Sequence, residues 1–208
     1  MKHKLIYCYD ALCGWCYGFS PSLQFFVERH QAELEVEVLS GGMITGDRIG
    51  PIGTVASYIH WAYKEVEQRT GVTFGHAFLN DTLKTGTATF TSIPAAIAMC
   101  VFKAQLPNRQ LSYATRLQQG IYYDGIHPTD FAAYEKMAKE KGWEGEDFQG
   151  LMRDECYEAQ AQQSFQRVKA MGVSGFPTLL LQKGETLYTI AHSAVSLDYL
   201  EQSYERIK

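Results

Sequence analysis

The chain has 208 residues, 46% of them apolar and 20% charged, enough to bury a sizeable core in one domain or two small ones. Its formal net charge of -4 comes without a long basic run, which excludes the electrostatic footprint of a nucleic-acid binder, and no window approaches the ~20 apolar residues of a membrane span. Five cysteines, an odd number spread unevenly, do not make the disulfide framework of a small secreted domain. The N-terminal "MKHKLIYCYD" is too short in apolar residues for a signal-peptide core, so the cytoplasm is the expected compartment.

In chain order, residues 4–9, "KLIYCY", are apolar and rich in β-formers, which predicts a buried strand. A cysteine-rich stretch follows at once, and Ser20-Pro21 then opens a helical pattern carried by Leu23, Phe26 and Val27. "ELEVEVLS" alternates Glu35 and Glu37 with Val36 and Val38, the period of a half-buried strand ending near Leu39. If the two strands run parallel about a crossover helix, their C-terminal ends share one sheet edge, and Ser40-Gly41-Gly42-Met43 lies beside Cys13. That Gly-Gly pair lacks the lysine and spacing of a phosphate loop and is read as a tight turn giving access to the thiols.

From about residue 44 to 172 the pattern is almost wholly helical. Helices are predicted over the segment ending at Gly71, from Pro94 through "AAIAMCVFKAQ", and from Pro128 to Gly142, with two weaker ones over 108–123 and 147–172. The chain ends in a hairpin about Lys183-Gly184-Glu185 and an amphipathic helix from Leu197, capped by Ser196. The expected order is therefore α/β: a βαβ-ββα core from residues 1–43 and 160–208, interrupted by an all-helical insertion over 44–159.

The chemistry concentrates in "CYDALCGWCYG". A closed metal site needs a second ligand pair, which Cys100, Cys156 and the scattered histidines do not provide, so no metal is expected. Five cysteines placed at random over this length would give a CxxC spacing only about 0.1 times, so chance explains the pair poorly. Redox chemistry explains it better. Cys13, at a strand end where a helix opens, meets unpaired N–H groups and the positive helix end, which favour the thiolate that attacks disulfides, while Asp10 nearby opposes the effect. Cys16 lies one helical turn on and can resolve the mixed disulfide.

Late in the chain, "GVSGFPTLLL" places Pro177 at a strand start, where a cis Phe176-Pro177 bond is physically allowed. CxxC at the first strand-helix junction with "GFPT" opening a late hairpin resembles the thioredoxin superfamily. The large helical insertion, including "GIYYDGIHPTDFAAYEKMAKEKGWEGEDF", is similar to the DsbA-like branch, notably cytoplasmic protein disulfide isomerases and FrnE-like proteins. The resemblance implies a thiol-disulfide oxidoreductase or isomerase without a bound cofactor. Its substrates would be protein or small-molecule disulfides, and glutathione or thioredoxin-type thiols its electron partners. It also implies a cis proline beside the cysteines and strand pairing of substrate with Phe176.

Gly14 and Trp15 between the cysteines, Met43, Phe176 and Pro177 are the candidate substrate contacts. The motif departs from the Pro-His and Pro-Trp of oxidants in that branch, and the position six residues before Cys13, often a buried carboxylate in thioredoxins, holds Tyr7. Cys8 and Cys100 read as packing, and Cys156 has no partner cysteine. Tyr122-Tyr123 and His127 read as packing of the helical block. A glutathione-dependent isomerase or transferase of the kappa or chromene-carboxylate type shares the inserted architecture, although those relatives generally have serine at the place of Cys13. A binding module with idle thiols is the third reading.

Overall fold

The computed structural model describes residues 2–208. Strand β1 (His3–Tyr9) leads through the cysteine loop into helix α1 (Gly14–Arg29) and returns as β2 (Leu34–Ser40), parallel to β1 with Tyr9 opposite Ser40. The helix starts at Gly14, not at Ser20-Pro21. Pro21 lies inside it, and the Ser20 hydroxyl is turned back to the Cys16 carbonyl at 3.1 Å and to Gln118 at 2.7 Å instead of capping. One missing N–H is tolerated because the surrounding turns are held by packing and by these bonds.

Beyond β2 the chain makes β3 (Gly50–Pro51), α2 (Ala56–Thr70), a π-helical turn over Ala77–Leu83, and β4 (Thr89–Phe90), which pairs antiparallel with β3. This small two-stranded sheet corrects the expectation of an all-helical insertion; two residues per strand are too few to give a period. Gly71 ends α2 in the left-handed region, as its position suggested. Helices α3 (Ile93–Gln105), α4 (Gln110–Tyr122) and α5 (Phe131–Glu140) follow. The last starts three residues after Pro128, because the Asp130 carboxylate accepts from the Ala133 N–H at 3.0 Å and caps it there.

The expected helix over 147–172 is two: α6 (Phe148–Leu151) and α7 (Glu155–Ala170), divided where Asp154 caps the second. The boundary expected at 159/160 therefore falls inside α7, which is a single helix packed on β2 and α3. Strands β5 (Thr178–Lys183) and β6 (Thr186–Ala191) form the hairpin, and α8 (Leu197–Ile207), capped by Ser196, closes the chain.

The main sheet runs β2-β1-β5-β6, with β1 central and antiparallel to β5. Residues Leu5–Tyr9 of β1 are buried on both faces, which is why they read as a continuous apolar run. Leu5, Tyr7 and Tyr9 join the large core that also holds Cys13 and Cys16; Ile6 and Cys8 join a smaller cluster with Leu39, Leu180 and Val168 of α7. Each such aliphatic side chain contributes about 1.5–3 kcal/mol by leaving water. Strand alternation thus puts Cys8 on the opposite face of the sheet from the CxxC pair.

Candidate active site

The loop between β1 and α1 brings Cys13, and the first turn of α1 brings Cys16, to the C-terminal edge of the sheet. Cys13 is the N-cap of α1: its Sγ accepts from the Cys16 N–H at 3.2 Å. The same Sγ lies 3.5 Å from the Phe176 carbonyl oxygen, the acceptor of the thiol when it is protonated. The Phe176-Pro177 peptide is cis, and 163 residues of sequence separation close here to one contact. The sulfur therefore sits between a helix-end donor and a carbonyl acceptor, with 5% of the Cys13 surface exposed, whereas Cys16 is fully buried. Burial foremost, then the hydrogen bond and charge of Cys13, push the Cys16 thiol well above its ordinary value.

Asp10, three residues before Cys13, is 1% exposed and braces the site. Its Oδ1 accepts from the Leu12 N–H at 3.0 Å and the Ser92 hydroxyl at 2.9 Å, and its Oδ2 from the Met43 N–H at 2.7 Å. One carboxylate thus ties the cysteine loop to the turn after β2 and to the start of α3. Burial raises its pKa, an effect that these donors partly offset. Tyr7, at the place where a carboxylate was sought, points its hydroxyl toward the Cys16 carbonyl at 3.5 Å. Desolvation and the neighbouring thiols push that phenol well above its usual pKa, so it remains a neutral donor.

Cys13, Gly14, Trp15, Met43 and Phe176 line one chamber of about 370 Å³. Its far wall comes from α2, through Tyr58, Ile59, Ala62, Tyr63 and Val66, and its floor from Phe74, Phe90 and Tyr122. No charged side chain lines it. Trp15 is half-buried, with the Arg69 guanidinium 5.7 Å from its ring centre. Pro177 is buried behind Phe176. The two glycines after β2 are fitted to their neighbours: a Cβ on Gly41 would lie 1.9 Å from the Phe176 ring, and Gly42 has φ +67 with the Phe165 ring 2.7 Å from where its Cβ would be.

Tyr122 packs in the helical block as expected, edge-on against Phe74 and Phe78, and its hydroxyl also donates to the Leu12 carbonyl, so α4 braces the cysteine loop. Tyr123 beside it is 54% exposed, and His127 is exposed as well, so neither packs the block. Nothing in the local pattern announced the bond of Tyr122 to Leu12, because its partners lie 110 residues apart. Asp10 had a signal: a carboxylate directly after an apolar strand and before the cysteines is positioned to be buried. Cys8 is pushed up to about 12 by burial, and half-buried Cys100 to about 11 by the same cause, which keeps both as thiols. Cys156 is exposed on α7. No group of three or more His, Cys, Asp or Glu residues arranged for a metal occurs among the described residues.

The DSBA-like thioredoxin domain family matches residues 4–205. A protein from Nitrosomonas europaea is 22% identical, covers 99% of this chain and 97% of its own, and superposes with a TM-score of 0.85. The cytosolic disulfide reductase DsbM from Pseudomonas aeruginosa is 27% identical with 98% of each chain covered and a TM-score of 0.82, and it has also been solved with GSH. A 2-hydroxychromene-2-carboxylate isomerase is 14% identical, with 98% and 95% covered and a TM-score of 0.67. None of the curated proteins matches the sequence.

Proposed function

We propose, from the premise that this chain belongs to the DSBA-like thioredoxin domain family, that its thiol-disulfide chemistry runs through Cys13 as nucleophile and Cys16 as resolving thiol. The observation that carries this reading is the placement of the Cys13 sulfur at the mouth of the apolar chamber, between the Cys16 N–H and the Phe176 carbonyl. An incoming disulfide meets the Cys13 thiolate; a bond forms from Cys13 to one substrate sulfur, and the other leaves as a thiolate that takes up a proton. The substrate backbone lies along Phe176, whose N–H has no backbone acceptor among the described residues. Cys16, once deprotonated, attacks Cys13 and releases the second thiol, leaving an enzyme disulfide.

Burial keeps Cys16 protonated, so its resolving attack on the mixed disulfide waits on loss of that proton. The likeness to a cytosolic disulfide reductase supports the reducing direction. Glutathione, which accompanies a structural neighbour, fits as the thiol that regenerates the pair. No helix among the described residues is long and apolar enough to cross a membrane, and a cytosolic neighbour supports a cytoplasmic setting. The test is the Cys16→Ser variant incubated with glutathione disulfide and with a cysteine-containing peptide disulfide. A stable adduct on Cys13, found by mass spectrometry, is expected, and its absence with both reagents overturns the reading. The fold shared with a chromene-carboxylate isomerase supports a second reading, glutathione-dependent isomerisation of an apolar substrate in the chamber. Isomerase turnover that survives Cys16→Ser would select it.

A further inference from the structure

To resolve a mixed disulfide, Cys16 must become a thiolate while fully buried. Burial foremost, then the hydrogen bond and charge of Cys13 and the charge of Asp10, work against that ionisation, and the Asp10 N–H works for it. The phenols of Tyr7, Tyr9 and Tyr122 are the other titratable groups that face the sulfur. A buried anion gains from each further donor that can reach it, because no bulk solvent competes for the bond. Tyr7 is such a donor. It is 1% exposed, and its ring is fixed by stacking on Tyr9 at 5.3 Å and tilting against Phe19 at 6.0 Å.

The Tyr7 hydroxyl meets two acceptors on Cys16. The carbonyl oxygen lies 3.5 Å away, at the outer limit of a hydrogen bond, and it already accepts from the Ser20 hydroxyl at 3.1 Å. The carbonyl therefore has little need of the phenol. The other acceptor is the sulfur: burial first, then the charges of the two thiols, and also a hydrogen bond to the Cys16 side chain keep the phenol protonated and able to donate. We propose that the Tyr7 hydroxyl donates to the Cys16 thiolate in the resolving step, stabilising the attacking sulfur without itself taking the proton. This deepens the function proposed above and rests on it. Cys16 gives its proton to water and its sulfur bonds to the Cys13 sulfur. The bond from Cys13 to the substrate breaks, and the departing thiolate takes a proton from water. In the resulting disulfide the Cys16 sulfur is uncharged and a weak acceptor, so the phenol is left with the carbonyl.

The test uses the full chain carrying Cys156→Ser, which removes the exposed thiol, and the chromogenic disulfide dithiobis(nitrobenzoate). Attack by Cys13 releases one thionitrobenzoate and the resolving attack by Cys16 releases a second, so stopped-flow absorbance separates the two steps. Tyr7→Phe deletes the hydroxyl and keeps the ring against Tyr9 and Phe19. It is expected to leave the first release unchanged and to slow the second by about tenfold to a hundredfold, the range for one hydrogen bond to a charged group. The second release should rise with pH in both proteins, with the Tyr7→Phe profile displaced upward by about one unit or more. Because both releases come from the same molecules, their ratio is insensitive to the folded fraction. Ser20→Ala, which deletes the shorter bond to the Cys16 carbonyl, is expected to leave the ratio unchanged. An unchanged ratio in Tyr7→Phe, a slowing of both releases alike, or an equal fall in Ser20→Ala overturns the inference and leaves Cys16 as the resolving thiol. If the chain with Tyr7 intact releases only one thionitrobenzoate, Cys16 does not resolve, and it is the proposed function that fails.

Discussion

Two cysteines three residues apart are chemically different here because one backbone turn gives them different surroundings. Cys13 caps the helix at the chamber mouth, while Cys16 is fully buried with a neutral Tyr7 phenol and the Asp10 carboxylate close by. A thiol whose pKa is raised in the fold stays protonated through neutral pH and would ionise earlier, near ~8.5, only when unfolded. Iodoacetamide at pH 7 should therefore modify Cys13 and exposed Cys156 in the native protein, and Cys8 and Cys16 only after denaturation, as read by peptide mass spectrometry. Modification of native Cys16 at a rate matching Cys13 would contradict this account. The CxxC spacing was legible in the sequence, and the redox role proposed for it starts from that spacing. Asp10 was noticed only as an unhelpful charge, because its three donors come from Leu12, Met43 and Ser92, on three separate segments.

At the scale of elements, the site is assembled from β1, the turn after β2, the Phe176-Pro177 turn and α2, with α7 fixing the far side of the sheet. Glu37 of β2 meets Arg167 of α7 through two bonds, 2.7 and 3.3 Å, and Lys4 lies 3.7 Å away. Burial alone would raise the Glu37 carboxyl, but Arg167 outweighs it and the net effect is a lowered pKa. A carboxyl held below its unfolded value stabilises the fold at pH above about 4.3, and the gain is lost as pH falls through the folded value. Glu37→Gln should cost about 0.5–1 kcal/mol at pH 7, a modest figure because Arg167 is half exposed. Urea denaturation at pH 7 and at pH 3 checks this: the two proteins should differ at the first and converge at the second. The sequence suggested both elements through their periods. It left their pairing open, since 130 residues separate Glu37 from Arg167.

Over the whole molecule, the larger of two buried clusters runs from Leu5 to Tyr204 and takes in side chains of the strands, the insertion and the last helix. The parts expected as a split core and an inserted block therefore share one apolar interior. We expect one cooperative thermal transition, with far-ultraviolet and near-ultraviolet dichroism melting together; two resolved transitions would separate the insertion from the sheet. The sequence by itself determined the order of the principal strands and helices, the CxxC pair and the turn proline, because periodicity, caps and a rare residue spacing are local properties that no distant partner can erase. Only the tertiary structure decided that Phe176 would stand over Cys13, that Tyr122 and Asp10 would brace the loop, and that an uncharged chamber would open beside that sulfur. Those facts depend on segments far apart in the chain meeting at one sheet edge, and burial and pairing there are set by the folded neighbours rather than by the residues on either side.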